Sequence, residues 1–168
     1  MTATSTNIDQ NCTYVQNPSF PSVYSATTAL TYTVKKCSDD VCALRLDFES
    51  FFIEGPADTV ETTGGVCTDS FQAKGSGEST PVICGQNANE HIYIDIGSAT
   101  TATATLTFTF ATSASTSRKW EVKVTQIPCD SVMRPPSGCL QYHTTLTGRV
   151  RTFNYGNTNL QQHLASQK

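Results

Sequence analysis

The segment Cys42-Ala-Leu-Arg-Leu-Asp-Phe-Glu-Ser-Phe-Phe-Ile-Glu-Gly55 constrains the fold more than any other stretch of the chain. Leu44, Leu46 and Phe48 fall on one side of an extended backbone, and Arg45, Asp47 and Glu49 on the other. A helix scatters these residues around its circumference. The pattern therefore predicts a strand with one face on a core and one in water. The alternation stumbles at Phe51-Phe52, which predicts a bulge or bend before Ile53. We read this segment as the central strand of an all-β domain.

The remaining apolar runs agree. Strands are predicted at Leu30–Val34, Asp69–Ala73, Pro81–Gly85, His91–Ile96, Thr101–Phe110 and Lys119–Ile127, separated by Gly-, Pro- and Ser-rich turns. In the last of these Trp120, Val122 and Val124 share a face, which places the single tryptophan in the core. Lys119 and Lys123 point the other way, toward a cross-strand charge ladder with Arg45, Asp47 and Glu49. Asn17–Tyr24 holds two prolines and is predicted to be an ordered loop. Many short strands without a helical period argue for a β-sandwich or a barrel. Past Ile127 the composition shifts: residues 130–138, with Pro135-Pro136, are a linker, and residues 139–168 are expected to supply two more strands. A piece of that size cannot bury a core of its own, so it packs on the first domain (12–129) or opens a second unit.

Several function classes are excluded by composition. The net charge is −3 with no basic run, so nucleic acid is not an expected partner. No apolar run approaches the ~18 residues that cross a bilayer, so membrane insertion is not expected. No Gly-x-Ser-x-Gly, His-Glu-x-x-His or phosphate loop occurs, and His91, His143 and His163 are scattered, so no catalytic residues are assigned. The seven cysteines, Cys12, Cys37, Cys42, Cys67, Cys84, Cys129 and Cys139, include no Cys-x-x-Cys and have no histidines at zinc spacing. Disulfides in an oxidising compartment are the stronger reading and a metal site the weaker. Cys37 and Cys42 flank a short turn and are a candidate bridge across it. With an odd number, at least one cysteine is unpaired. Asn11-Cys12-Thr13 is a glycosylation sequon. Together these features predict secretion, with a signal peptide that is not in this chain.

An ordered series runs through the chain: Asn17-Pro18-x-Phe20-Pro21-x-x-Tyr24, Leu44-x-Leu46-x-Phe48, Cys67-Thr-Asp69-x-Phe71, Val82-Ile-Cys84-Gly85-Gln-Asn87, Leu106-x-Phe108-x-Phe110 and Gly138-Cys-Leu-Gln-Tyr142. This series resembles the CUB domain, most of all that of arthropod extracellular CUB proteins. The resemblance covers residues 12–129, and Cys139–Tyr155 resembles the incomplete start of a second CUB-like unit. It implies a jelly-roll β-sandwich of two antiparallel sheets with a short C-terminal β extension. It also implies a Cys67–Cys84 bridge, worth roughly 3 kcal/mol by loop closure. The family's first bridge has no counterpart, because Leu30 stands where the partner of Cys12 belongs. Cys139 is then the candidate unpaired thiol.

Many CUB domains hold Ca²⁺ between two loops with one Glu and two Asp. The resemblance maps the first two ligands onto Glu54 and Asp69, but Ser113 stands where the third carboxylate belongs. Two carboxylates bind a dication far more weakly than three, so Glu54 and Asp69 are expected to act chiefly as solvated loop acids, with no resident cofactor. The functional expectation is an extracellular, non-catalytic binding module for a protein or glycan. The alternatives are an assembly module of a larger secreted protein and, less favoured, a secreted hydrolase.

Overall fold

The fold is built on β4 (Val41–Ile53), a strand of 13 residues that pairs along nearly its whole length with β9 (Lys119–Pro128). In the computed structural model, residues 6–56, 66–112 and 117–155 are described. The others are β1 (Asn7–Ile8), β2 (Thr13–Gln16), β3 (Leu30–Lys35), β5 (Ser70–Lys74), β6 (Gly85–Gln86), β7 (His91–Asp95) and β8 (Thr103–Thr109). One sheet runs β2-β9-β4, with β6 and β7 both against the far edge of β4, and the other runs β1-β3-β8-β5. All pairings are antiparallel except β1 with β3. Among the described residues there is no helix. The architecture is a two-sheet jelly-roll sandwich.

Alternation explains which side chains fill it. Leu44, Leu46 and Phe48 of β4 are fully buried and face Ala104, Leu106 and Phe108 of β8 across the sandwich. The register slips between Phe48 and Ser50, so Glu49 is the extra residue of a bulge. That insertion changes the parity and returns Phe51 and Ile53 to the core. The break thus falls two residues earlier than the Phe51-Phe52 stumble suggests. Phe108 stacks on Trp120 at 4.4 Å and meets Phe71 at 4.7 Å, forming an aromatic centre that joins β5, β8 and β9. Each such side chain contributes about 2–3 kcal/mol on burial. The outward face carries part of the expected ladder: Asp47 lies opposite Lys123 and is bonded to Arg45 at 2.7 Å, whereas Lys119 lies opposite Phe52 and Glu49 is the bulge residue.

Two disulfides staple the sandwich. Cys67 bonds Cys84. Cys42 bonds Cys129, which corrects the Cys37–Cys42 bridge across the turn. The reason lies in strand pairing: Val41 sits opposite Pro128, so the next residues along β4 and past β9 come within 4.8 Å, Cα to Cα. Cys37 is instead exposed, its amide donating to Gln126 Oε1 at 2.9 Å. Closing so long a loop constrains the unfolded chain by about 4.5 kcal/mol in the loop-closure account. Cys12, Cys37 and Cys139 are unbridged.

Past Pro128 the described chain forms no further strand. Residues 139–155 run as an irregular strap along the outer edge of β6 and β7. Tyr93 donates its amide to the Leu140 carbonyl at 2.8 Å, and the Gln141 side chain donates to the His91 carbonyl at 3.0 Å. Phe153 and Asn154 are buried at the end of the strap. Asn154 Oδ1 accepts from the Gln86 amide at 2.9 Å, and its own amide donates to Asn87 Oδ1 at 2.7 Å. The Asn154 carboxamide lies where a side chain at position 85 would stand: a Cβ on Gly85, whose φ is +78°, would fall 2.0 Å from Asn154 Oδ1. The Gly85-Gln-Asn87 motif is thus a socket for Asn154.

Candidate functional site

β4 ends at Ile53, and the next residue closes on the segment entering β5. The Glu54 amide donates to Asp69 Oδ2 at 2.9 Å, and the Asp69 amide donates to the Glu54 carbonyl at 3.3 Å. Period two carries Asp69 inward with Phe71 and Ala73, and all three are 0% exposed. In the other sheet the same parity runs back from Val124, Val122 and Trp120 to Arg118, also 0% exposed. The Arg118 backbone is pinned by Tyr24, whose amide donates to its carbonyl at 2.7 Å.

Two inward charges of opposite sign therefore meet between the sheets. Arg118 Nε donates to Asp69 Oδ2 at 2.6 Å and Nη2 to Oδ1 at 3.0 Å, a two-pronged fork. Nη2 also donates to the Ala111 carbonyl and Nη1 to the Ala26 carbonyl, both at 3.1 Å. The Ala111 amide completes the set, donating to Asp69 Oδ1 at 3.0 Å. The Phe110 ring centre lies 4.7 Å from the guanidinium carbon. Two amides and two guanidinium N–H groups occupy the four lone-pair sites of the carboxylate. As arranged, Asp69 has no lone pair to offer a cation.

Glu54 and Asp69 thus come together through backbone amides and not as two free carboxylates, while Ser113 lies outside the described residues. Among the described residues no three His, Cys, Asp or Glu side chains form a cluster able to hold a metal ion. Asn11 of the sequon is exposed, and its Oδ1 accepts from the Gln126 amide at 3.0 Å. Arg118 escapes a motif search because it reads as one of a surface Arg-Lys pair. The signal that finds it is the parity of β9 carried two residues upstream.

A second feature lies between the strap and the edge of the β4 sheet. A groove of about 390 Å³ is lined by Ser50, Phe52, Gln86, Glu90, Arg151 and Tyr155. A second, of about 320 Å³, shares Glu90 and Arg151 and adds His91, His143 and Arg149. Burial raises the Glu90 carboxyl above its ordinary 4.5, against the opposing pull of Gln141, Arg151 and His143. Burial also lowers the His91 imidazole below 6.5, with Arg45 and His143 adding to the effect. A neutral ring fits its contacts, since His91 Nε2 accepts from the Tyr142 amide at 3.3 Å. Beside the grooves the strap exposes Leu146, Val150 and Tyr155, with the Arg151 guanidinium 5.3 Å from the Tyr155 ring centre.

Comparison with known proteins bears on the fold. The family described as Animal CUB domain matches residues 136–168. The CUB1-EGF-CUB2 structure of human MASP-1/3 is similar at 19% identity with a TM-score of 0.54, over 72% of this chain and 41% of that one. The chain therefore spans less than half of that multidomain fragment. The MASP-1 CUB2 domain bound to Ca²⁺ is similar at 18% identity and a TM-score of 0.53, covering 71% of this chain and 96% of that domain. The extracellular region of zebrafish Gpr126/Adgrg6 is similar at 13% identity and a TM-score of 0.51, over 73% of this chain and 14% of that one. No curated protein sequence matches the chain. The jelly-roll sandwich of this chain has the CUB fold, and its residues 136–168 match the animal CUB domain family.

Proposed function

We propose that the chain is an extracellular, non-catalytic interaction module that engages an acidic protein surface through the grooved edge formed by β4, β6, β7 and the strap. The observation that carries this reading is the cluster of Arg149, Arg151 and His143 beside exposed Leu146, Val150 and Tyr155. Arg and Tyr are the side chains that most often anchor protein interfaces. Cations around a concave edge steer and orient an anionic partner. Two disulfides support an oxidising compartment. A structure with the same fold is an extracellular region. Non-catalytic action is supported by how the polar groups are used: His91 Nε2 accepts from the Tyr142 amide, and Asp69 is saturated.

The chain, immobilised with its disulfides intact, is screened against a panel of extracellular proteins and against a glycan array. The expected result is a protein ligand whose affinity falls at least tenfold (about 1.4 kcal/mol) in Arg149→Glu/Arg151→Glu. Unchanged affinity in that variant rejects the groove. Binding confined to sulfated or carboxylated glycans moves the assignment to glycan.

The alternative, an assembly module of a larger secreted protein, rests on the family match at residues 136–168. In that reading residues 12–129 are one unit, 130–138 the linker, and 139–168 the opening of a second CUB-like unit. The strap then holds that unit against the first through Asn154.

A further inference from the structure

A solved domain of this fold is bound to Ca²⁺, whereas in this chain Asp69 is bonded to Arg118. A calcium ion takes six to eight oxygens, gathering carboxylates and backbone carbonyls around one positive charge centre. Around the Arg118 guanidinium the chain has collected a similar set: both Asp69 oxygens and the carbonyls of Ala111 and Ala26. These acceptors come from the segment before β5, the segment just after β8 and the loop before β3, three separate parts of one end of the sandwich.

We propose that Arg118 is the domain's built-in cation: its guanidinium takes, against Asp69, the place that a divalent metal holds in a calcium-bound CUB domain, and this end of the sandwich is organised without calcium. Every lone-pair site of Asp69 is used, two of them by the guanidinium, and the remaining two by the amides of Glu54 and Ala111. A calcium ion reaching Asp69 has to expel a fully buried guanidinium that also holds two carbonyls. Glu54 cannot hold the ion alone, because one carboxylate supplies at most two of the oxygens a calcium site requires. The pair also explains why Asp69 is buried at all: an unpaired carboxylate at that depth is not tolerated.

The test uses the intact chain. Thermal unfolding of the native protein is followed in millimolar Ca²⁺ and in chelator, and terbium is titrated as a luminescent calcium mimic, with Trp120 and Tyr24 near the site as sensitisers. The expected result is the same melting temperature in both and no saturable terbium emission. A saturable rise in melting temperature with Ca²⁺, or saturable terbium emission abolished by Asp69→Asn, overturns the proposal. The second arm is Arg118→Ser, which removes the guanidinium and leaves the acceptors. It is expected to melt lower in chelator and to bind terbium at least about tenfold more tightly than the native chain. If it folds and responds to neither ion, the equivalence of guanidinium and metal is overturned. If it does not fold, Arg118→Lys, which keeps a charge and loses the fork, is expected to melt lower than the native chain and to stay insensitive to Ca²⁺. A Ca²⁺ response in that variant overturns the proposal.

Discussion

Of the three arginine–aspartate pairs among the described residues, two are opposites in consequence. Arg45 and Asp47 lie on the outward face of β4, 2.7 Å apart, with side chains 30% and 24% exposed. Arg118 and Asp69 lie between the sheets, 2.6 Å apart and fully enclosed. The distances barely differ. What separates the pairs is parity: the first continues the wet face of its strand, and the second continues the dry faces of two strands. Water screens and competes with the first pair, so it is worth little. The second pair has no water to fall back on, so each partner is indispensable while the other is present.

Breaking the enclosed pair has the largest expected effect. Arg118→Ala leaves a buried carboxylate with half its partners and is expected to cost about 3–5 kcal/mol in chemical denaturation. Replacing both residues together, as Asp69→Leu/Arg118→Met, is expected to cost less than Arg118→Ala alone. A double variant weaker than the single one contradicts the comparison. Next comes a buried contact without charge: Asn154→Ala strips the Gln86 amide of its partner and is expected to cost about 1–3 kcal/mol. Arg45→Ala, on the exposed pair, is expected to change stability by less than about 1 kcal/mol and to lose even that in high salt.

The smallest effect is in pH, at the grooved edge. His91 is lowered in the folded state by burial first, then by Arg45 and His143. As pH falls below 6.5 the unfolded chain takes up this proton more readily, so stability declines until the folded imidazole also titrates. Glu90, raised by burial, works in reverse: just above 4.5 the folded state holds the extra proton, so its contribution to stability is lost as pH rises through that window. Titration of stability with pH is expected to show the His91 loss on the way down, removed by His91→Gln.

Much of this was legible in the chain. The core faces of β4, β8 and β9 follow from period two at Leu44–Phe48, Leu106–Phe110 and Trp120–Val124, because a strand admits one parity per face. The opposition of Asp47 and Lys123 on the outward face follows from the same rule. The Cys42 bridge was not legible: it depends on the register of β4 against β9, which no separation along the chain encodes. Arg118 was hidden by its neighbours. A search for calcium ligands attends to acids, and Arg118-Lys119 reads as surface charge. Yet carrying parity from Phe71 back to Asp69 and from Trp120 back to Arg118 predicts two inward charges of opposite sign. Asn154 gave no signal of its own, since a neutral amide 67 residues from Asn87 announces nothing until both are placed.

A dissolved ion stabilises a protein in proportion to the logarithm of its excess over the dissociation constant, so its help fades on dilution. A positive group carried on the backbone has no such dependence. Its local abundance is set by covalent bonds and is the same in dilute fluid, beside a chelating matrix, or in a compartment stripped of divalents. What this end of the domain gives up is a response to divalent ions. In return it keeps a single shape wherever the chain is carried.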